Sequence, residues 1–299
     1  MKDLPAFHAL GEARRQQRPR RAFVVGGERV GSVDEAHLAA LQPWGRWIEV
    51  QSQAVALTAP PEAREAVFAE VNARLRDEGL IRAWREEPFP LLSPTTGRVL
   101  SVFERASARF WGTLTLGAHC NGWVAGPDGR ASHLWIARRS ATKATDPGLL
   151  DNLIGGGVPH GQTPRQTLVR EGFEEAGLDE RQMARATAGR VIEVDRDIPE
   201  GRQFERLYVF DLELPPDLVP KNQDGEVATL ERLPVAEAAA LAATPEMTVD
   251  ASLVTLDFLL RRQLLPGAWA DEARARALAQ ALEQTLAPAA NTADPRENP

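Results

Sequence analysis

A chain of 299 residues exceeds a typical single domain, and its length points to one or two domains. An apolar content of 43% with 26% charged residues is ordinary for a soluble globular protein and excludes a low-complexity chain. The net charge of −7, from 42 acidic against 35 basic residues, argues against non-specific nucleic-acid binding, and no apolar run is long enough to predict a membrane span. The one cysteine, Cys120, rules out an intrachain disulfide and a cysteine-based zinc site. Its apolar, strand-like surroundings predict a buried structural thiol. The N-terminus lacks the apolar core of a signal peptide, so the expected compartment is the reducing cytoplasm.

In chain order, residues 1–17 predict a helix ending near Pro19 in a basic cluster. Ala22–Val25 and Glu28–Ser32 read as a hairpin across Gly26 and Gly27, and Asp34 as the cap of a helix over 35–41. One or two strands are expected within 46–58. Pro60 and Pro61 open an amphipathic helix to about Gly79, with Ala63, Val67, Val71 and Leu75 on its apolar stripe. Residues 84–94 are broken by proline and read as a connection, and nothing before Arg105 suggests a catalytic constellation. Further on, 110–125 and 133–139 read as a strand pair around the turn 127–130. A second pair, Gly189–Asp195 and Glu205–Leu214, and a last strand, Glu226–Leu233, follow. Helices are expected over Pro234–Ala243, Val249–Leu265 and 268–286, then a disordered tail from Ala287.

Between the strand pairs lies GGGVPHGQTPRQTLVREGFEEAGL, residues 155–178. Thr163 and Gln166 form a capping-box pattern, Pro164 suits the first helical position and Gly177 supplies a stop. Leu168, Val169, Gly172, Phe173 and Ala176 are read as one helical arc, with Glu171, Glu174 and Glu175 opposite. Each like-charge pair on such a turn costs roughly 0.2–0.5 kcal/mol in solvent. Either this is an exposed acidic face, or a hard divalent cation resolves the repulsion through oxygen ligands.

The stretch resembles the signature of the Nudix hydrolases, G-x5-E-x7-R-E-U-x-E-E-x-G-U, where U is aliphatic. Gly156, Arg170, Glu171, Glu174, Glu175, Gly177 and Leu178 match; Gln162 replaces the first glutamate and Gly172 the aliphatic residue. Flanking segments (23–33, 84–91, 110–124, 134–161, 224–227 and 256–262) resemble the Nudix subfamily related to fungal thiamin pyrophosphokinase, whose members carry an N-terminal domain of unclear role. The resemblance implies an α/β (α+β type) fold: a Nudix α/β/α sandwich with a mixed sheet, preceded by a smaller α/β domain. The expected division is an accessory domain over 1–105, the Nudix domain over 106–266, and a helix and tail over 267–299.

By the same resemblance the activity is hydrolysis of a diphosphate bond, with thiamin diphosphate or its damaged oxo and oxy analogues cleaved to monophosphates as metabolite repair. A Nudix hydrolase of another diphosphate and a non-catalytic nucleotide-binding regulator are the competing readings. Mg²⁺, with Mn²⁺ as a substitute, would be held by Glu171, Glu174 and Glu175, and Arg170 would orient a carboxylate. Glu171 and Glu226 are candidates for the general base. Arg138, Arg139 and Lys143 are candidates for the diphosphate, although strand alternation lets only one of the two arginines face the site. Gly156 and Gly157 would approach the substrate, Trp111 and Trp123 are candidates for stacking on a ring against a core role, and His160 is a lone loop histidine. The expected partner is a small-molecule diphosphate, with no nucleic acid and no membrane, and closure over the substrate or homodimerisation are the two hypotheses for residues 1–105.

Overall fold

The computed structural model describes residues 7–288. The long N-terminal helix expected over 1–17 is a short α1 (His8–Glu12), and residues 1–6 lie outside the described part. β1 (Arg20–Val25) turns through Gly26 and Gly27 into β2 (Glu28–Asp34). Both glycines have positive φ, which a side chain would resist. Asp34 accepts from the Ala36 N–H as an N-cap, but the helix it starts, Glu35–Trp44, is of the tighter 3-10 type. β3 (Ile48–Val50) and β4 (Ala54–Leu57) complete a sheet of order β2-β1-β4-β3, in which β1 and β4 run parallel. α2 (Arg64–Asp77) buries Val67, Val71 and Leu75 as its periodicity predicts.

The stretch expected as a connection contains β5 (Pro88–Leu92), paired antiparallel with β6 (Val99–Glu104). Prolines are tolerated there because Pro88 is the first residue of a two-stranded ribbon with free edges. Residues Ser107–Trp111 form a short helix, α3, stopped by Gly112 in the left-handed conformation, where a strand was expected to begin at Phe110. One hydrophobic cluster draws on residues from Phe23 to Trp111.

β7 (Leu114–Ala125), β8 (Ala131–Arg139), β9 (Leu150–Asp151) and β10 (Ile154–Gly157) lead to α4 (Pro164–Ala176) and α5 (Glu180–Met183). β11 (Thr187–Ile198), β12 (Gly201–Glu213), β13 (Val227–Pro234), α6 (Val235–Ala242), α7 (Val249–Arg261) and α8 (Glu272–Glu283) follow. The mixed sheet has the order β11-β12-β7-β8-β13, with β10 on β7, β9 on β8, and β12 parallel to β7.

Strand alternation builds a core on each face of this sheet. On β12, Leu207 and Val209 join the cluster with α6 and α7, whereas Tyr208, Phe210 and Leu212 join the one with α4 and α5. On β8, Leu134 and Ile136 take the first side and Trp135 the second. The result is the expected α/β/α sandwich. Cys120 is fully buried in it. The expected disordered tail falls, apart from Ala287 and Pro288, outside the described residues. Among the described residues no helix is long and apolar enough to cross a membrane.

Candidate active site

α4 is fixed at both ends by local chemistry. The Thr163 hydroxyl accepts from the Gln166 N–H at 3.2 Å, the Gln166 side chain accepts from the Thr163 N–H at 2.8 Å, and Gly177 stops the helix at φ 65°. The middle of the helix lies close against β10 because Gly156 has no side chain: a Cβ there would sit 2.3 Å from Oε1 of Glu171. Beside this contact is a cleft of about 410 Å³, lined by the glycine run, by α4, by the β8–β9 loop and by Glu226.

Arg170 donates to Glu171 and to Glu174, each at 2.7 Å, which relieves the crowding of carboxylates that the spacing creates. Glu175 accepts from the Gly155 N–H at 2.8 Å and from Lys143 Nζ at 3.3 Å. Lys143 also pairs with Glu226 at 2.6 Å, and Glu226 with Arg85 at 2.9 Å. Burial pushes the Glu175 carboxyl up to about 8, with Lys143 opposing. Burial also raises Glu171, against the pull of Arg170. For Glu226 burial acts upward too, but its bonds to Lys143 and Arg85 prevail and hold it below the usual carboxylate range.

Of the two adjacent arginines, Arg139 reaches the cleft. It pairs with Asp151 at 2.7 Å and donates to the carbonyl of Thr145. Arg138 is exposed on the other face of β8, bonded to the Gly148 carbonyl, and does not line the cleft, so of the two candidates it is the one that faces away. The stacking role expected of Trp111 also fails: the ring is fully buried, stacked on Phe23 with centroids 4.4 Å apart, and its indole N–H donates to Asn72. Trp123 is likewise a core residue, capped by Arg262. His160 is exposed, and its backbone N–H donates to the Pro88 carbonyl. Gly157 lines the cleft, but a Cβ there would meet the Phe89 ring at 2.9 Å, so its space is taken by an N-terminal side chain.

The helical arcs also need correction. Phe173 is 58% exposed and Glu175 only 4%. At 100° per residue, Glu175 lies about 20° from Leu168 and Phe173 about 140° from it, so Glu175 belongs to the boundary between core and cleft. The second departure from the pattern has a packing reason. A Cβ at Gly172 would lie 2.6 Å from the sulfur of the buried Met183.

Several cleft residues carried no sequence signal. Arg82, Arg85, Arg105 and Arg109 line it from the N-terminal part, where the sequence showed no catalytic constellation. His119, Gln203, Glu205 and Asp250 line it from the sheet and α7. Gln203 donates to both Asp250 oxygens, at 3.1 and 2.9 Å, while burial and the Glu205 charge push Asp250 up to about 6.

The α4 donors are all carboxylate oxygens, from Glu171 and Glu174 at the cleft and from the buried Glu175 beside them, and this chemistry fits a hard divalent cation. Among the described residues no three His, Cys, Asp or Glu side chains are gathered tightly enough to hold an ion as they stand. Arg170 and Lys143 hold the α4 carboxylates on separate partners.

Residues 118–254 match the family model of the NUDIX domain. The chain carries a Nudix domain. Ahead of it, residues 4–115 match a domain of unknown function (DUF4743). Two Arabidopsis thaliana proteins are similar over this region: "Nudix hydrolase 20, chloroplastic", 42% identical over 67% of this chain, and "Nudix hydrolase 24, chloroplastic", 39% identical over 69%. The chain spans about half of each relative's own length, 54% and 56%. Among solved structures, DR0079 from Deinococcus radiodurans is 21% identical with a TM-score of 0.44, over 57% of this chain and 99% of its own. Within the Nudix domain, Gln162, which stands where the signature has a glutamate, is tied to the α4 helix. Its amide oxygen accepts from the Thr167 hydroxyl at 3.1 Å and from Arg170 Nε at 3.4 Å.

Proposed function

We propose that the cleft hydrolyses the phosphoanhydride bond of a small organic diphosphate, with thiamin diphosphate and its oxo and oxy analogues as the leading substrates. The observation that carries the reading is the arrangement of Glu171, Glu174 and Glu175 beside the Gly155–Gly157 run, in a cleft that also holds Arg139, Lys143 and Arg170. The thiamin preference rests on the flanking segments of sequence. A divalent ion, Mg²⁺ foremost and Mn²⁺ as a substitute, would be held by the three glutamates and would supply a Lewis acid and an activated water.

The protein's own groups divide the remaining work. Arg170 fixes the rotamers of Glu171 and Glu174. Lys143, with only 9% of its side chain exposed, can exchange its pair with Glu175 for a phosphate oxygen while Glu226 still anchors it. Arg139 is oriented toward the cleft by Asp151 and the Thr145 carbonyl, and presents a fork suited to an oxyanion. Glu226 is committed to two cations and is therefore a weak proton acceptor; its role in this scheme is to position Lys143. Glu171, raised by burial, is the better-matched base.

In this reading the partner is a small molecule in a reducing compartment, consistent with the buried lone thiol and the net charge of −7. The test is product release from a panel of thiamin, oxothiamin and oxythiamin diphosphates, ADP-ribose, a nucleotide sugar, NADH and coenzyme A, with and without Mg²⁺. Mg²⁺-dependent monophosphate from the thiamin compounds is the expected result. Cleavage of the nucleotide compounds alone would remove the thiamin preference, and binding without turnover by any of them would favour a regulator.

A further inference from the structure

The N-terminal domain contacts the Nudix glycine loop directly. The Pro88 carbonyl accepts from the His160 N–H at 2.8 Å, and Phe89 fills the space that a side chain at Gly157 would take. Arg105 sits over the Phe89 ring and pairs with Glu87 at 2.9 Å. From the same segment Arg85 reaches across to Glu226. Ala83 and Glu86 hold positive φ, 62° and 59°, a conformation that side chains disfavour and that the surrounding packing must impose. The strained backbone is the part that presents Arg82 and Arg85 to the cleft.

Charge separates the two walls. The N-terminal wall offers four arginines (82, 85, 105 and 109) against Glu86 and Glu87, whereas the Nudix wall offers three cations against eight carboxylates. A diphosphate approaching the Nudix side alone would meet a surplus of like charge, so the complementary field comes from the N-terminal side. Two of the four arginines are not committed to a close ion pair. Arg82 donates to the Gly79 carbonyl, and Arg109 stands 3.9 Å from Glu200.

We propose that the domain of unknown function is one wall of the substrate site, and that Arg82 and Arg109 bind phosphate oxygens of the diphosphate opposite the α4 carboxylates. The identity of the ligand rests on the diphosphate reading above, but the two are tested by different measurements.

The test of this wall is calorimetric titration of the full chain with inorganic pyrophosphate in the presence of a chelator. Binding by the wild type, weakened at least tenfold in Arg82→Ala/Arg109→Ala, is the expected result. Arg82→Glu, a change at an exposed position, is the second variant and must weaken binding at least as much. Equal affinity in the wild type and in either folded variant overturns the proposal, as does a wild type that binds no pyrophosphate. A wild type that cleaves no diphosphate while its pyrophosphate binding still depends on these arginines would sink the hydrolase reading and leave the wall standing.

Discussion

Replacing Glu175 by glutamine removes a buried ionisable group while keeping the acceptor for the Gly155 N–H. The native carboxyl is raised from an ordinary 4.5 to about 8, first by burial and then by the neighbouring Glu171 and Asp151 charges, with Lys143 and the Gly155 N–H opposing. Because the folded value lies above the unfolded one, the stability contributed by Glu175 is fully present below about pH 4.5 and is lost as pH rises toward 8. At ~1.4 kcal/mol for each tenfold change in proton affinity, the loss approaches roughly 4–5 kcal/mol at its limit, an upper bound because the pair with Lys143 is coupled. Glu175→Gln, freed of this cost but leaving Lys143 with Glu226 alone, is therefore more stable than the wild type by about 1–3 kcal/mol at pH 8 in chelator, and equal to it near pH 4.5. Urea denaturation of both proteins between pH 4.5 and 9, with EDTA present, measures the difference. A difference that does not grow with pH would refute the assignment of Glu175 as a carboxyl destabilised by burial. The same variant should gain no thermal stability from Mg²⁺, whereas the wild type should, since an ion that binds the native state shifts its unfolding by mass action.

Three further substitutions probe the packing around α4. Gly156→Ala forces a Cβ into the Glu171 carboxylate, so activity should fall by about 100-fold with stability changed by about 1 kcal/mol or less, read by kinetics beside a melting curve. Gly172→Ala sets a helix-propensity gain of about 1 kcal/mol against an overpacking cost of about 1–3 kcal/mol at Met183; net destabilisation in the wild-type background, turning to a gain when the same change is made in a Met183→Ala background, is expected from denaturation across the double-mutant cycle, and a simple gain of about 1 kcal/mol in the wild-type background would contradict it. Gln162→Glu should strengthen the hold on Arg170 by about 0.2–1 kcal/mol, with the gain shrinking in 0.5 M salt.

What the sequence made legible was local. The capping box, the glycine stop and the Gly26–Gly27 turn are written in adjacent residues and appear as read. Glu171, Glu174 and the loop residue Lys143 also line the same cleft, with Glu175 bonded to Lys143 behind them. The errors arose where distant packing decides. Strand alternation said that one of Arg138 and Arg139 faces the site, but the pairing of β8 with β9 and the anchor of Arg139 on Asp151 choose which. Trp111 was open between stacking on a ring and a core role, and α3 decides for the N-terminal core, against Phe23 and Phe68. The wall of Arg82, Arg85, Arg105 and Arg109 was invisible because charged residues in a proline-broken stretch look like any solvated surface until the β5–β6 ribbon docks on the glycine loop. Asp250 was hidden in the same way, as a polar position at the start of an otherwise apolar helix.

The most direct test of the whole assignment is single-turnover cleavage of thiamin diphosphate with excess enzyme and Mg²⁺, followed by phosphorus NMR, in the wild type and in Glu171→Gln. Formation of thiamin monophosphate and phosphate by the wild type, slowed at least 100-fold in the variant while the fold and pyrophosphate binding persist, is the expected outcome. Equal turnover in both proteins would contradict the placement of the chemistry on the α4 carboxylates.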